Sequence, residues 1–242
     1  MQRPTQQIYS DYTTEDFQVW KTLYIRQVEL LQHSASSEYL NALNAIGFSA
    51  DRIPNFREIE LALKPLTGWS LQTVPNISEQ KDFFTFLSQK KFTATCWLRK
   101  MEQLDYLEEP DMFHDVFGHV PLLSNKHYTS FFEAISHIAL KYIDNPKAVE
   151  LLGRIYWFTI EFGLIRENGD LKIYGAGIMS SYGETKNCLS DNTKKFEFDV
   201  ERIFNTDFRT DILQEKYFVI DSYEQLYASI REIEANLQGR FG

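Results

Sequence analysis

His114 and His119 stand five residues apart in the segment Glu109-Pro110-Asp111-Met112-Phe113-His114-Asp115-Val116-Phe117-Gly118-His119-Val120-Pro121, which holds two of the chain's 5 histidines. Further on, Glu161 interrupts the apolar run Tyr156-Trp157-Phe158-Thr159-Ile160-Glu161-Phe162-Gly163. Two imidazoles and one carboxylate are the donor set that holds non-haem Fe(II) in a facial triad, with positions left open for oxygen. A carboxylate among aromatic and branched residues is costly unless it is paired or bound to a metal. Glu161 is therefore a metal ligand or one half of an ion pair, for instance with Arg154 or Arg166. Residues i and i+5 of an α-helix point about 140° apart. Both imidazoles reach one ion only if the segment bends or a helix ends there, and Gly118 and Pro121 supply the means. Zincins instead set two histidines at i and i+4 with Glu after the first, whereas here Asp115 follows His114 and the second histidine comes one place late. On these residues alone, a divalent metal and a pair of structural histidines both stay open.

The elements that must carry these groups read as mostly helical. A first helix starts near Thr13 or Thr14, with Phe17, Trp20, Leu23, Tyr24, Val28 and Leu31 near helical spacing. Ser36 to Ile46 reads as a second helix, closed by Gly47. Asn55 caps a third, with Glu58 placed for a capping box and Pro65 beyond its end. Asp82 to Leu87 is helical, and Phe92 to Trp97 is a strand by its β-branched and aromatic content. Residues 126–142 and 146–164 read as two long helices, the second started by Pro146. Short strands follow at Leu171–Tyr174 and Tyr217–Ile220, and a last helix runs from Ser222 to Leu237. The expected fold class is α+β, mostly α-helical with minor short strands, in a single domain over residues 1–242.

Composition narrows the partners. Lys and Arg number 25 against 34 Asp and Glu, a formal charge of −9. With no basic cluster standing against that balance, the expectation is no nucleic-acid partner and no anionic-membrane partner. Cys96 and Cys188 form no CxxC or zinc pattern, which points to reduced thiols in a cytoplasmic enzyme. The stretch Met1-Gln2-Arg3-Pro4-Thr5-Gln6-Gln7 lacks the apolar core of a signal peptide, and no window approaches a membrane span. Aromatic residues make up 15%, which suits a pocket for flat ligands and an aromatic-rich core equally.

Three stretches carry a resemblance. Glu109 to Leu123, Tyr156 to Leu164, and Tyr174-Gly175-Ala176-Gly177-Ile178-Met179-Ser180-Ser181-Tyr182-Gly183-Glu184 resemble, in order and spacing, the signatures of the tetrahydropterin-dependent aromatic amino acid hydroxylases. The similarity runs from about Tyr12 to about Tyr223. In Asp105-Tyr106-Leu107-Glu108-Glu109-Pro110 and Tyr217-Phe218-Val219-Ile220-Asp221-Ser222 the chain looks most like the short bacterial phenylalanine hydroxylases. The resemblance implies the family's single catalytic domain, without the regulatory domain and tetramerisation helix of animal relatives, and hence a monomer.

It also implies an activity: conversion of L-phenylalanine to L-tyrosine with O₂ at a non-haem Fe(II) centre, with tetrahydrobiopterin or a related tetrahydropterin as cofactor. By the resemblance His114, His119 and Glu161 bind the iron, and Ser180 hydrogen-bonds the first histidine. Arg99, at the end of the Trp97-Leu98-Arg99 strand, grips the substrate carboxylate through its guanidinium fork, and Asp111 holds Arg99. Trp157 and Gly177 match the wall and floor around the substrate ring, with Pro110 packed nearby. Phe83 matches the aromatic that stacks on the pterin, with Phe84 and Phe86 as competitors, and Tyr156 and Asp115 match cofactor contacts. Asp115 stands where many relatives have Glu, so its arm is shorter. Trp157 stands where tryptophan hydroxylases carry Phe, which favours phenylalanine over an indole, while Thr210 and Leu107 depart from the animal patterns. Alternatives are hydroxylation of phenylalanine at the meta carbon, tryptophan hydroxylation by the same machinery, and a non-catalytic ligand-binding relative. His127 and His137 belong to no motif.

Overall fold

Thr13 and Asp16 cap the first long helix reciprocally: the Asp16 N–H donates to Thr13 Oγ1 at 3.2 Å and the Thr13 N–H donates to Asp16 Oδ2 at 2.7 Å. In the computed structural model, which describes residues 3–105 and 107–242, this helix α1 spans Thr14–Ser34 and buries Val19, Trp20, Leu23, Gln27 and Leu31. Met1 and Gln2 of the amino-terminal reading, and Tyr106 of the 105–110 motif, lie outside the described residues. The chain continues through α2 (Ser37–Ala45), α3 (Phe56–Leu63), β1 (Ser70–Thr73), α4 (Gln80–Ser88) and β2 (Lys91–Ala94). Two π-helical segments, Phe113–His119 and Trp157–Glu161, flank α5 (Lys126–Lys141) and α6 (Pro146–Tyr156). The last third holds β3 (Gly163–Glu167), β4 (Asp170–Ile173), α7 (Ala176–Met179), α8 (Tyr182–Asn187), β5 (Lys194–Glu197), α9 (Val200–Phe204), β6 (Lys216–Ile220), α10 (Tyr223–Ala228) and α11 (Ile230–Phe241).

The α+β expectation stands, mostly helical with short strands, but several elements depart from the sequence reading. The strand expected through Trp97 ends at Ala94, because the backbone beyond it finds partners elsewhere. Asp115 Oδ2 accepts from the Thr95 N–H, the Met112 N–H donates to the Trp97 carbonyl, and Asp111 Oδ2 accepts from the Arg99 N–H. Arg99 therefore sits on a crossing segment rather than at a strand end. The helix expected over 146–164 breaks up into α6, a π turn and β3, since Leu164 to Glu167 pairs antiparallel with β4 and Gly163 to Ile165 parallel with β6. Asn55 caps α3 by accepting from the Arg57 N–H, but Glu58 ion-pairs with Arg52, so no capping box closes. The last helix is two, jointed at Ser229, whose hydroxyl donates back to the Leu226 carbonyl at 2.7 Å. β1, β5 and α7 to α9 went unforeseen, being four to six residues each, too short for a periodic signal.

β1 and β2 form a parallel pair, and the four-stranded sheet has the order β4-β3-β6-β5. One apolar core runs from Val19 on α1 to Leu237 on α11. At its centre α5 contributes Tyr128, Phe131, Phe132 and Ile135 from one face. Among the described residues no helix is long and apolar enough to cross a membrane.

Candidate active site

The wide turn of a π-helix, with its i→i+5 hydrogen bonds, resolves the awkward spacing of the histidines. Phe113–His119 is π-helical throughout, so residues five apart come round to neighbouring positions instead of about 140° apart. The expected device, a bend or helix end at Gly118 and Pro121, is not the one used. Gly118 serves packing: a Cβ there would lie 2.9 Å from the Ala176 carbonyl oxygen of α7. Glu161 closes the second π segment, where the Phe162 N–H donates to the Trp157 carbonyl five residues back at 2.9 Å.

The two segments face each other with their donors converging. His119 Nε2 lies 3.2 Å from Glu161 Oε1, His114 Nε2 lies 3.7 Å from Glu161 Oε2, and the two Nε2 atoms are 3.4 Å apart. Three candidate ligand atoms thus lie within 4.8 Å of one another. Two ring nitrogens this close, aimed at one carboxylate, are reconciled only by a shared proton or a cation, so the donor set fits a divalent metal. The ion pair considered for Glu161 is absent: Arg154 goes to Glu150 and Asp207, and Arg166 to Glu197 and Asp221. Burial by itself would raise the Glu161 carboxyl, but the His119 and His114 rings and the hydrogen bonds from His119 and Tyr156 outweigh it and hold it at about 2.

Contacts behind the donors fix their orientation. The Ser180 hydroxyl donates to the Ala176 carbonyl at 2.9 Å, so its oxygen accepts from His114 Nδ1–H at 2.9 Å. That selects the tautomer whose Nε2 lone pair is free for a metal. His119 lies against the Phe92 ring, centroids 4.8 Å apart. Asp115 Oδ2 accepts from both the N–H and the hydroxyl of Thr95 at 2.8 Å. Burial raises the Asp115 carboxyl, against the opposing pull of His114 and the Thr95 bonds.

A cavity of about 290 Å³ opens beside the three donors. Of the residues expected around pterin and substrate, Phe83, Tyr156, Asp115 and Pro110 line it together with His114, His119 and Glu161. Phe83 is half-buried and meets Tyr156 edge-on at 5.6 Å between centroids. Its competitor Phe84 also lines the cavity, whereas Phe86 does not. Val149 and Gly153 went unrecognised. Their spacing with Tyr156, four and three residues along α6, is the signal that could have found them.

Arg99, Asp111, Trp157 and Gly177 do not line this cavity. Arg99 is buried, its Nε and Nη2 donating to Asp111 at 2.9 and 2.8 Å and its Nη1 to the Leu104 carbonyl at 3.4 Å. Gly177 packs behind Glu161, where a Cβ would lie 2.9 Å from Phe162 Cζ and 3.1 Å from the Glu161 carbonyl oxygen. Trp157 stacks on Phe208 with centroids 4.4 Å apart and planes 15° from parallel. His127 pairs with Glu224, and His137 is exposed, both away from the site.

Known proteins resemble this chain over nearly its whole length. Residues 3–242 match the family described as biopterin-dependent aromatic amino acid hydroxylase. The chain is 44% identical to phenylalanine-4-hydroxylase of Ralstonia nicotianae over 221 residues, covering 91% of this chain and 70% of that protein. It is also 44% identical to phenylalanine-4-hydroxylase of Chromobacterium violaceum over 217 residues, covering 89% and 73%. The crystal structure of the Chromobacterium violaceum enzyme with bound iron(III) and oxidised cofactor 7,8-dihydrobiopterin superimposes with a TM-score of 0.91 at 41% identity, over 98% of this chain and 87% of that one.

Proposed function

The chain belongs to the biopterin-dependent aromatic amino acid hydroxylases, and on that premise we propose which of its residues carry the reaction. The activity is hydroxylation of L-phenylalanine to L-tyrosine by an iron- and tetrahydropterin-dependent monooxygenase. Fe(II) is assigned to His114 Nε2, His119 Nε2 and the Glu161 carboxylate. Bound there, iron and the reduced pterin together supply the activation of O₂ that a closed-shell benzene ring requires.

The protein's part is placement. Two neutral imidazoles and one carboxylate leave the metal a net positive charge and free positions. The His119 and His114 rings and the Tyr156 hydrogen bond hold the Glu161 carboxyl well below the usual carboxylate range, which suits a ligand for a cation. Phe83 is assigned to stack on the flat heterocycle, with Tyr156 and Asp115 lining the same cavity. Of the five N–H donors of a guanidinium, Arg99 uses three on Asp111 and Leu104. Two remain, and a guanidinium fork suits the substrate carboxylate. Trp157, Gly177 and Pro110 are assigned to the substrate ring. Burial of His119 and Phe92 would keep bulk water from one side of a metal held there.

The working unit is read as a single catalytic domain, monomeric and cytoplasmic, acting on a small molecule without a nucleic-acid partner. One continuous core supports the first point. Three of the large exposed apolar residues, Ile25, Leu61 and Tyr227, stand singly on α1, α3 and α10, as scattered apolar side chains do on a monomer. Both cysteines are free and buried, and the formal charge is −9.

The observation that carries the reading is the convergence of His114, His119 and Glu161 at the wall of a cavity that Phe83 also lines. The test is to incubate Fe(II)-loaded protein with tetrahydrobiopterin and phenylalanine in air and to resolve the products by chromatography. Para-tyrosine is expected. Meta-tyrosine, or turnover of tryptophan in preference to phenylalanine, would overturn the choice of substrate position, and no product at all would overturn the assignment of roles.

A further inference from the structure

Trp157 is held at its polar edge by one side chain that no motif singled out. Its indole N–H donates to Gln214 Oε1 at 3.0 Å. The faces of the ring are taken by Phe208, stacked at 4.4 Å, and by Phe162, tilted at 35° with centroids 4.4 Å apart. Stacking fixes the plane of an indole but leaves it free to slide and to flip between the two broad wells of χ2. Only the bond at the N–H selects one edge.

Gln214 is itself immobilised on every polar group. Its Nε2 donates to the Arg209 carbonyl at 2.6 Å and the Ile212 carbonyl at 3.1 Å, which commits both amide hydrogens and leaves Oε1 facing the indole. Its backbone N–H donates to Glu184 Oε1 at 2.7 Å, and its carbonyl accepts from Asn187 Nδ2 at 2.7 Å. The second oxygen of Glu184 accepts from the Tyr217 hydroxyl at 2.5 Å. Glu184 lies on α8, directly after α7, at whose end Ser180 holds His114. The α7–α8 unit thus references both a metal-binding imidazole and, through Gln214, the Trp157 ring.

We propose that Gln214 is a positioning residue for the substrate slot, holding the Trp157 indole in the one orientation that leaves room for a benzene ring and not for an indole. The proposal rests on the reading of Trp157 as the wall of the ring site, and the test separates the two. The readouts are KM and kcat for phenylalanine, the preference for phenylalanine over tryptophan, and tyrosine formed per tetrahydropterin oxidised. In Gln214→Leu the KM for phenylalanine rises by about tenfold, as for the loss of one hydrogen bond to a half-buried donor. In the same variant kcat falls less, the yield of tyrosine per pterin drops, and the preference shifts toward tryptophan. Gln214→Met reads the same loss should the leucine variant not fold. In a Trp157→Phe background, which has no N–H to hold, Gln214→Leu changes these quantities by less than about twofold, the signature of a shared interaction. Unchanged KM and yield in Gln214→Leu, or an equal loss in the Trp157→Phe background, would overturn the role of Gln214 while leaving Trp157 its own. If Trp157→Phe also behaves as the parent in all three readouts, it is the ring-wall reading that fails.

Discussion

Asp111 Oδ1 accepts from the backbone N–H of His114 at 3.2 Å. The same carboxylate holds Arg99 through Nη2 at 2.8 Å, Nε at 2.9 Å and its backbone N–H at 2.9 Å. One buried side chain therefore ties Arg99 to the π segment that presents His114. In the proposed site, the spacing of these two residues is set by a single buried group rather than by two independent loops.

Breaking this tie at its two ends should have different consequences. Arg99→Lys keeps the charge and loses the fork. It should lower kcat/KM for phenylalanine by ~2–4 kcal/mol, about 30- to 700-fold, with iron content and pterin KM unchanged. Asp111→Asn should lose a similar amount and also weaken iron binding, because the His114 N–H loses a charged acceptor. Steady-state kinetics with metal analysis checks both, and a weaker pterin KM in Arg99→Lys would exchange the two sites.

Removal of the metal should abolish turnover, with Fe(II) restoring it after chelation. His114→Ala, His119→Ala and Glu161→Ala should each be inactive and fail to retain iron while staying folded. Ser180→Ala should be milder, about ten- to a hundredfold in iron affinity, since it loosens only the ring orientation of His114. Iron titrations followed by circular dichroism and activity decide this, and wild-type iron content with activity in His119→Ala would sink the ligand assignment.

Gly175→Ala tests the backbone behind Glu161. A Cβ at Gly175 would lie 2.4 Å from the Glu161 carbonyl oxygen and 2.5 Å from the Gly163 nitrogen, both backbone atoms that cannot swing aside. The variant should be destabilised by ~1–3 kcal/mol, as for overpacking, and its iron affinity should fall because the Glu161 main chain must shift. Chemical denaturation and iron binding measure the two effects. Wild-type values in both would mean that this contact is relieved without cost.

Glu184 gives a pH dependence of known sign. Burial raises its carboxyl above the ordinary value of 4.5, against the bonds from Tyr217 and Gln214. A carboxyl raised in the folded state contributes stability that is fully present below the unfolded value and is lost as pH climbs through the raised one. Relative to the parent, Glu184→Gln should thus become progressively more stable as pH rises from about 4.5 toward neutrality. Thermal melts of both proteins across that range test it, and a constant difference in Tm would show that Glu184 does not titrate there.

What could be read along the chain is what neighbours in sequence decide. Thr13, Ser36, Asn55, Asn125 and Asn145 all cap helices, because a cap is made by side chain and backbone a few residues apart. The donors His114, His119 and Glu161 were legible from residue type, as a carboxylate in an apolar run needs a positive partner. Phe83, Tyr156, Asp115 and Pro110 were legible only through the resemblance, and the cavity does gather them.

The tertiary structure decided the rest. The i, i+5 spacing looked wrong for one ion until a π turn brought both imidazoles round, and no local preference marks where a helix widens. Strand β3 replaced the end of an expected helix because β4 and β6 offer its backbone partners, the latter from more than fifty residues away. Gln214 carries no motif and meets Trp157 across a sequence separation of 57. Donor chemistry and capping are fixed by residue type and close spacing, whereas convergence of distant segments is fixed by packing, which appears only when the core closes.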